Sequence, residues 1–341
     1  MSIYTNIYKG GHSSVVERLV ANEKVEGSTP FARSKFKVIK SKIITNYFQK
    51  FLFNKDIRTF KKSLFYYLTF RIIRNFLIHD LIIRVYDFKV FVSTQKNKNS
   101  YYLLKKCDFP DNHELGIIKK FSRINKIFLI DCGCNYGFYS LYTASLSNEN
   151  KVISIEASES TFIDFKKNLK LNQFKNISCF NKLISDQDNL SISFNESKND
   201  WESSEVNNNF SISKISKVQT LTINSLLSNI NLQEFNIIIK LDIEGNEISA
   251  INGGLDIIKK FNPIIIIEFS KYIFNKSSKF EYLNFFLNKY DYSIYDTQNN
   301  KISIKEIMLR IHNLDKKNST IGNFYLIKNS SNYLEIFLKN E

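Results

Sequence analysis

The sequence predicts an α/β protein: a doubly wound, mostly parallel sheet of seven strands, preceded by a helical and hairpin addition. Three observations carry this. From residue 127 onward, short runs of Ile, Leu, Val and Phe alternate with segments whose apolar residues recur at helical spacing. Such alternation belongs to a parallel sheet covered by helices on both faces. The first runs are apolar without interruption, as in strands buried on both sides. Finally, Gly133 and Gly137 sit directly after the first run, where a strand must turn tightly into a helix.

The elements follow in order. Residues 36 to 80 are basic and aromatic, with Phe48, Phe51, Leu52, Leu64, Tyr67, Leu68, Ile72 and Phe76 at loose helical spacing. They read as one or two amphipathic helices capping the main domain, and the same pattern also suits contact with a membrane surface. Leu81 to Ser93 alternates around Val85, Phe88, Val90 and Val92 as a hairpin does, and a polar turn over 95–100 follows. Asp111 to Phe121 is helix-like. The seven strands are 127–130, 152–155, 177–184, 235–241, 264–269, 292–295 and 324–328. Helices are expected over 136–146, 161–171, 247–260 and 280–290, with a hairpin at 190–194 and a long polar loop over 198–211. The domain reading is therefore an addition over 36–110, a main domain over 111–330 and a tail over 331–341.

Residues 1–35 stand apart. Gly10, Gly11, Gly27, Pro30, Ala21 and Ala32 concentrate types that are otherwise scarce in the chain. Gly27-Ser28-Thr29-Pro30 can be written GGU UCG ACU CC, which resembles the T-arm of a transfer RNA, and Ser13 to Arg18 can be written to resemble a D-arm. We read this segment as translation of a neighbouring tRNA gene, against the alternative of an ordinary flexible extension, and exclude it from fold reasoning. The underlying DNA tests this.

Composition bounds the function. With 43% hydrophobic residues the 341-residue chain is not disordered, and with 10 Gly and 3 Pro it is neither collagen-like nor mucin-like. Four cysteines, at 107, 132, 134 and 179, are too few for a disulfide scaffold. The most lipophilic stretch, Leu64 to Val85, is broken by Arg71, Arg74, His79, Asp80 and Arg84, so no transmembrane segment is expected. No secretory signal is visible, and a cytoplasmic location is expected. The net charge of +15 accompanies abundant Lys, Asn, Ile, Phe and Tyr, the residues of AT-rich codons. We read it mainly as codon bias and a solvated surface, so nucleic acid is not an expected partner.

Ligands of open parallel sheets bind beyond the carboxyl ends of the strands. After the first run stands Asp131-Cys132-Gly133-Cys134-Asn135-Tyr136-Gly137. This lacks both G-x-G-x-x-G and the P-loop lysine, which argues against a di- or triphosphate. Glu156 ends the second strand, where a carboxylate can accept both hydroxyls of a ribose. Together they suit a nucleoside ligand without a pyrophosphate, and S-adenosylmethionine meets that description. Cys132 and Cys134 have no second Cys or His pair at zinc spacing, so no metal is expected.

At these residues the sequence resembles the FkbM-type S-adenosylmethionine-dependent methyltransferases. Phe128 to Ser140 resembles the family's glycine loop, and Ile155-Glu156-Ala157 with Asn168 and Asn172 its second strand end and helix. Lys240-Leu241-Asp242-Ile243-Glu244-Gly245-Asn246-Glu247 matches its K-x-D-x-E-G-x-E signature, and Asn262-Pro263-Ile264 to Glu268 its fifth strand. The resemblance spans roughly 85 to 330. Departures are Cys132 and Cys134 in the loop, Ala157-Ser158 after Glu156, and Asn224 where Asp is common. The resemblance implies the Rossmann-like class I methyltransferase fold and an S-adenosylmethionine-dependent O-methyltransferase acting on a hydroxyl of a sugar or small metabolite, so a small-molecule or glycan acceptor.

The expected roles follow. Asp131 bonds the loop or reaches the methionine amino group. Gly133 and Gly137 present backbone N–H groups to the ligand, and Asn135 shapes the turn. Glu156 binds ribose and Asp186 approaches adenine. Lys240 and Asp242 share one strand face; Asp242 or Glu244 is the expected catalytic carboxylate. Two alternatives stand beside this: an RNA methyltransferase, motivated by charge though lacking the Asn/Asp-Pro-Pro-aromatic motif, and a non-catalytic donor-binding module of the same fold.

Overall fold

The computed structural model describes residues 56–60, 81–92, 103, 108–109, 111–197, 212–271, 277–314 and 320–339. The tRNA-like segment, most of the expected amphipathic helices, the 95–100 turn and the 198–211 loop lie outside the described residues.

The hairpin forms as its alternation predicts. Strand β1 (Leu81–Val85) pairs antiparallel with β2 (Phe88–Val92) across a two-residue turn in which Tyr86 takes a left-handed φ of 50°. Its inward set, Leu81, Ile83, Val85, Phe88, Val90 and Val92, joins the same core cluster as Ile127, Leu129, Ile238 and Ile264. Two asparagines of helix Glu159–Asn172 serve the backbone of β2. Phe91 N donates to Asn168 Oδ1 (2.8 Å), Lys89 N to Asn172 Oδ1 (2.7 Å), and Asn172 Nδ2 to Lys89 O (2.7 Å). Side-chain amides thus satisfy strand groups that would otherwise invite another chain.

The main domain opens with α1 (Asn112–Ile124), then β3 (Ile127–Cys132), α2 (Phe138–Leu146), β4 (Lys151–Ile155), α3 (Glu159–Asn172) and β5 (Ile177–Phe180). There follow β6 (Leu183–Ile184), β7 (Ser191–Ser197), β8 (Ile212–Leu221), α4 (Ile223–Leu227), β9 (Asn236–Leu241), α5 (Glu247–Gly253) and α6 (Leu255–Phe261). The chain closes with β10 (Ile264–Ser270), α7 (Ser277–Tyr290), β11 (Tyr292–Tyr295), β12 (Lys301–Ile302), α8 (Ile304–His312), β13 (Thr320–Lys328) and α9 (Asn332–Leu338).

The large sheet has eight strands in the order β12-β11-β13-β10-β9-β3-β4-β5. Strands β5, β4, β3, β9 and β10 are parallel, and β13 runs antiparallel between β10 and β11. The chain winds outward from β3 to β5, then crosses back to β9, so the strand order reverses between β3 and β9. Both β3 and β9 are buried at every position, as their unbroken apolar runs require.

Several boundaries differ from expectation for local reasons. The eighth strand is a two-residue edge piece beyond a tight turn. The expected strand 177–184 divides at Asn181, whose Nδ2 bonds Glu156 O and Ala157 O; beyond it β6 joins a separate sheet, β6-β8-β7. Strand β8 was not expected, because the apolar residues of its sequence, ISKISKVQTL, recur at every third position rather than every second. The expected helix 247–260 breaks at Gly254, where an added Cβ would stand 3.2 Å from Ile223 Cβ. Helix α8, capped by Ser303 Oγ on Glu306 N, had been left without an assignment.

Candidate active site

The loop between β3 and α2 is built from left-handed residues: Gly133 (φ 76°), Asn135 (φ 51°) and Gly137 (φ 81°). A Cβ on Gly133 would lie 1.9 Å from Asp242 O, and one on Gly137 would lie 2.0 Å from the Phe165 ring. Glycine is therefore required twice, by backbone conformation and by space. The expectation that these two amides face a ligand is corrected. Gly133 N donates to Ile155 O (2.9 Å) and Gly137 N to Cys134 O (2.7 Å), so the loop spends them on its own closure. The asparagine does shape the turn, and its N–H donates to Glu156 Oε2 (2.9 Å).

Glu156 ends β4 and faces this loop. Its other oxygen accepts from Ser158 N (2.8 Å), so one carboxylate ties the glycine loop to the start of α3. Burial pushes its pKa up to about 7, against the pull of these two backbone donors. Ionised, it keeps lone pairs for further donors. The thiols of Cys132 and Cys134 are buried and raised by that burial, which leaves them unreactive filling.

The K-x-D-x-E-G-x-E segment forms the opposite wall. Lys240, 2% exposed, lies opposite Asp131 in the β3–β9 register. Its Nζ is 2.7 Å from Asp242 Oδ2 and 4.6 Å from the centre of the Tyr139 ring. Burial alone would neutralise the amine, but Asp242 and Asp131 outweigh it and hold the charge. Glu244 takes a left-handed φ of 53°, unusual for a residue with a Cβ. The buried Glu247 accepts from Ile243 N (3.0 Å) and Gly245 N (3.0 Å) and so clamps the backbone on either side of Glu244. Asn246 Nδ2 anchors the same turn to Ile184 O (2.6 Å).

These walls enclose a cavity of about 260 Å³ beyond the carboxyl ends of β3, β4 and β9. Of the candidate site residues, Gly133, Asn135, Glu156, Asp242 and Glu244 line it. Leu183, Ile184 and Phe194 supply an apolar side next to Glu156. Three predicted residues do not line it: Gly137, whose N–H closes the loop on Cys134 O, Asp131 and Asp186. Asp131 is fully buried beneath the floor, where Oδ2 accepts from Ser140 Oγ (2.5 Å) and Oδ1 has no hydrogen-bond partner. Asp186 is exposed and turned toward Asn252, 3.4 Å away; the chain reaches the cavity at Lys182 to Ile184 instead.

Among the lining residues that the sequence reading did not assign to the site are Asp111, Glu268 and Asn323. Asp111 accepts from the Tyr139 hydroxyl (2.8 Å) and is raised by burial. Burial and the charge of Asp242 push Glu268 up to about 8. Asp242, Glu244 and Glu268 place one oxygen each within 4.8 Å of one another, a spacing that could hold a cation, although Lys240 already supplies one to Asp242. Only the acid at the end of a fifth apolar run hinted at Glu268. Nothing local pointed to Asp111 or Asn323.

Residues 131–294 match the family model described as the methyltransferase FkbM domain, so this segment carries such a domain, and the match supports a methyltransferase function. No curated protein matches the chain. Among solved structures, methyltransferase FkbM from Methylobacillus flagellatus is similar at 17% identity and a TM-score of 0.37, over 59% of this chain and 43% of that one. The chain thus spans less than half the length of that protein. A putative caffeoyl-CoA O-methyltransferase from Staphylococcus aureus is similar at 15% identity and a TM-score of 0.36, over 65% and 85%. A putative methyltransferase from Streptococcus mutans, in complex with SAH, is similar at 10% identity and a TM-score of 0.35, over 65% and 98%. Among the described residues no helix is long and apolar enough to cross a membrane.

Proposed function

We propose that the chain is an S-adenosylmethionine-dependent O-methyltransferase acting on a hydroxyl of a sugar or small metabolite. The observation that carries this is one cavity at the reversal of strand order that joins a carboxylate, Glu156, to an apolar side, Leu183, Ile184 and Phe194. That pairing suits a nucleoside: the carboxylate accepts from the ribose hydroxyls, and the aliphatic and aromatic side chains cover the base. Gly133 leaves its wall flush against Asp242, which keeps the space open.

When bound, S-adenosylmethionine supplies a methyl group to a nucleophile and leaves as a neutral thioether. The chain supplies alignment, exclusion of water and a place for one proton. An acceptor hydroxyl loses its proton as the new C–O bond forms, and a carboxylate must receive it. Asp242 is engaged in an ion pair with Lys240, so it orients together with Glu244. Glu268, with a pKa near 8, has the proton affinity the task needs. Asp131 acts through Lys240 and Ser140 as a positioning residue. Asp186, on the outer surface, has no role here.

The test is transfer of a labelled methyl group from S-adenosylmethionine to a panel of glycans, small alcohols and RNA. Labelled O-methyl product from a glycan or alcohol supports the reading. Labelled RNA alone would replace it with the RNA reading. Binding of S-adenosylhomocysteine without turnover on any acceptor would mark a non-catalytic donor-binding module.

A further inference from the structure

A second cavity, of about 740 Å³, adjoins the first, and Asp111, Glu268 and Asn323 line both. Its walls come from distant parts of the chain: the start of α1, the turn between β11 and β12, helix α8 and the start of β13. Its volume leaves room for an acceptor larger than a simple alcohol.

The chemistry of its lining is one-sided. Four carboxyl groups face it, from Asp111, Glu114, Glu268 and Asp296; Glu268, pushed up to about 8, is mainly neutral at pH 7, which leaves the acidic character to the other three. Its guanidinium, Arg310, is already paired with Glu306 at 2.7 Å. His113 shares a short hydrogen bond with the Tyr325 hydroxyl (2.6 Å), and burial lowers its pKa, so it stays neutral. At the junction Asn323 Oδ1 is shielded from water and has no hydrogen-bond partner. Among the described residues that line it, an anion brought here would meet carboxylates with no unpaired cation to offset them. A cationic amine would meet acceptors on several sides, through charge-assisted hydrogen bonds.

We infer that this second cavity seats the methyl acceptor, and that its acidic lining selects an amine-bearing polyhydroxyl compound, an amino sugar in chemical class, over phosphorylated ones. The inference rests on the donor reading of the first cavity and adds the identity of what lies opposite it. It also separates the site from the chain as a whole: a net charge of +15 would suggest phosphate-rich partners, yet the walls of this cavity carry the opposite sign.

Calorimetric titration of the full chain, first with S-adenosylhomocysteine and then with three probes, tests it. The probes are a β-1,4-linked glucosamine dimer, its N-acetylated counterpart and glucosamine 6-phosphate. The free-amine dimer is expected to bind about tenfold tighter than the N-acetylated one, the size of one charge-assisted hydrogen bond gained. The 6-phosphate should bind weaker still. In Glu114→Gln, which keeps the shape of the wall and removes one charge, the preference for the amine should shrink while S-adenosylhomocysteine affinity stays as it was. Equal or tighter binding of the N-acetylated or phosphorylated probe overturns the inference and leaves the donor reading intact. So does binding of S-adenosylhomocysteine with none of the three probes. Failure of S-adenosylhomocysteine itself to bind removes the donor reading and this inference with it.

Discussion

The two cavities meet at the same sheet edge but are made in different ways. Around the smaller one, the walls are tied by short-range bonds: Gly133 N and Cys134 N reach Ile155 O, and Asn135 N reaches Glu156. The backbone there is so close that a single methyl group at Gly133 would collide with Asp242 O. Around the larger one, Asn112, Asp296 and Arg310 come from elements far apart in the chain. A tight, locally bonded wall holds one ligand in one pose. A looser wall, assembled from turns and element ends, is where acceptor choice can vary without disturbing the fold.

The sharpest way to break this contrast is Gly133→Ala. The left-handed φ and the clash with Asp242 O should cost about 3–5 kcal/mol of stability and abolish S-adenosylhomocysteine binding, read by denaturant unfolding and calorimetry. Next is Glu268→Gln, which should lower turnover about a hundredfold with donor affinity unchanged. Glu268 titrates near 8 because burial and Asp242 favour its neutral form, so wild-type turnover should climb as pH rises to about 8 and level off above it. The variant should lose that climb; an unchanged profile would assign the proton to another group.

A smaller effect is expected at Glu156→Gln. An amide accepts from ribose less strongly than a carboxylate, so donor affinity should fall about tenfold. Because burial holds the wild-type group near 7, donor affinity should weaken as pH drops below 7 and the carboxylate takes up a proton; the variant should show no such trend. The smallest effect is Gly116→Ala, in the exposed interior of α1, where nothing lies within 4 Å of an added Cβ. It should raise stability by about 0.5–1 kcal/mol with turnover unchanged, showing that glycine matters in the loop and not for its own sake.

The same contrast explains what the sequence disclosed. Strands such as NIIIKL and IIIIEFS were legible because burial on both faces leaves an unbroken apolar run. Gly133, Glu156 and the 240–247 segment were legible because their partners are fixed by short spacing along adjacent strands. Strand β8 was not, since its apolar residues recur at every third position and so lack the period of a strand. Asp111 looked like an ordinary helix start, and only the folded chain sets it beside Tyr139 and Glu268. Asp186 was expected in the cavity because strand ends usually point there. Asn181 instead diverts the chain, and the residues just after it, Leu183 and Ile184, take the position.

The most direct test is a crystal structure of the full chain with S-adenosylhomocysteine. The account predicts ribose hydroxyls on the Glu156 carboxylate, the base against Leu183, Ile184 and Phe194, and the sulfur directed toward Asp242 and Glu268. A nucleoside bound elsewhere, or in this cavity with its ribose away from Glu156, would contradict it.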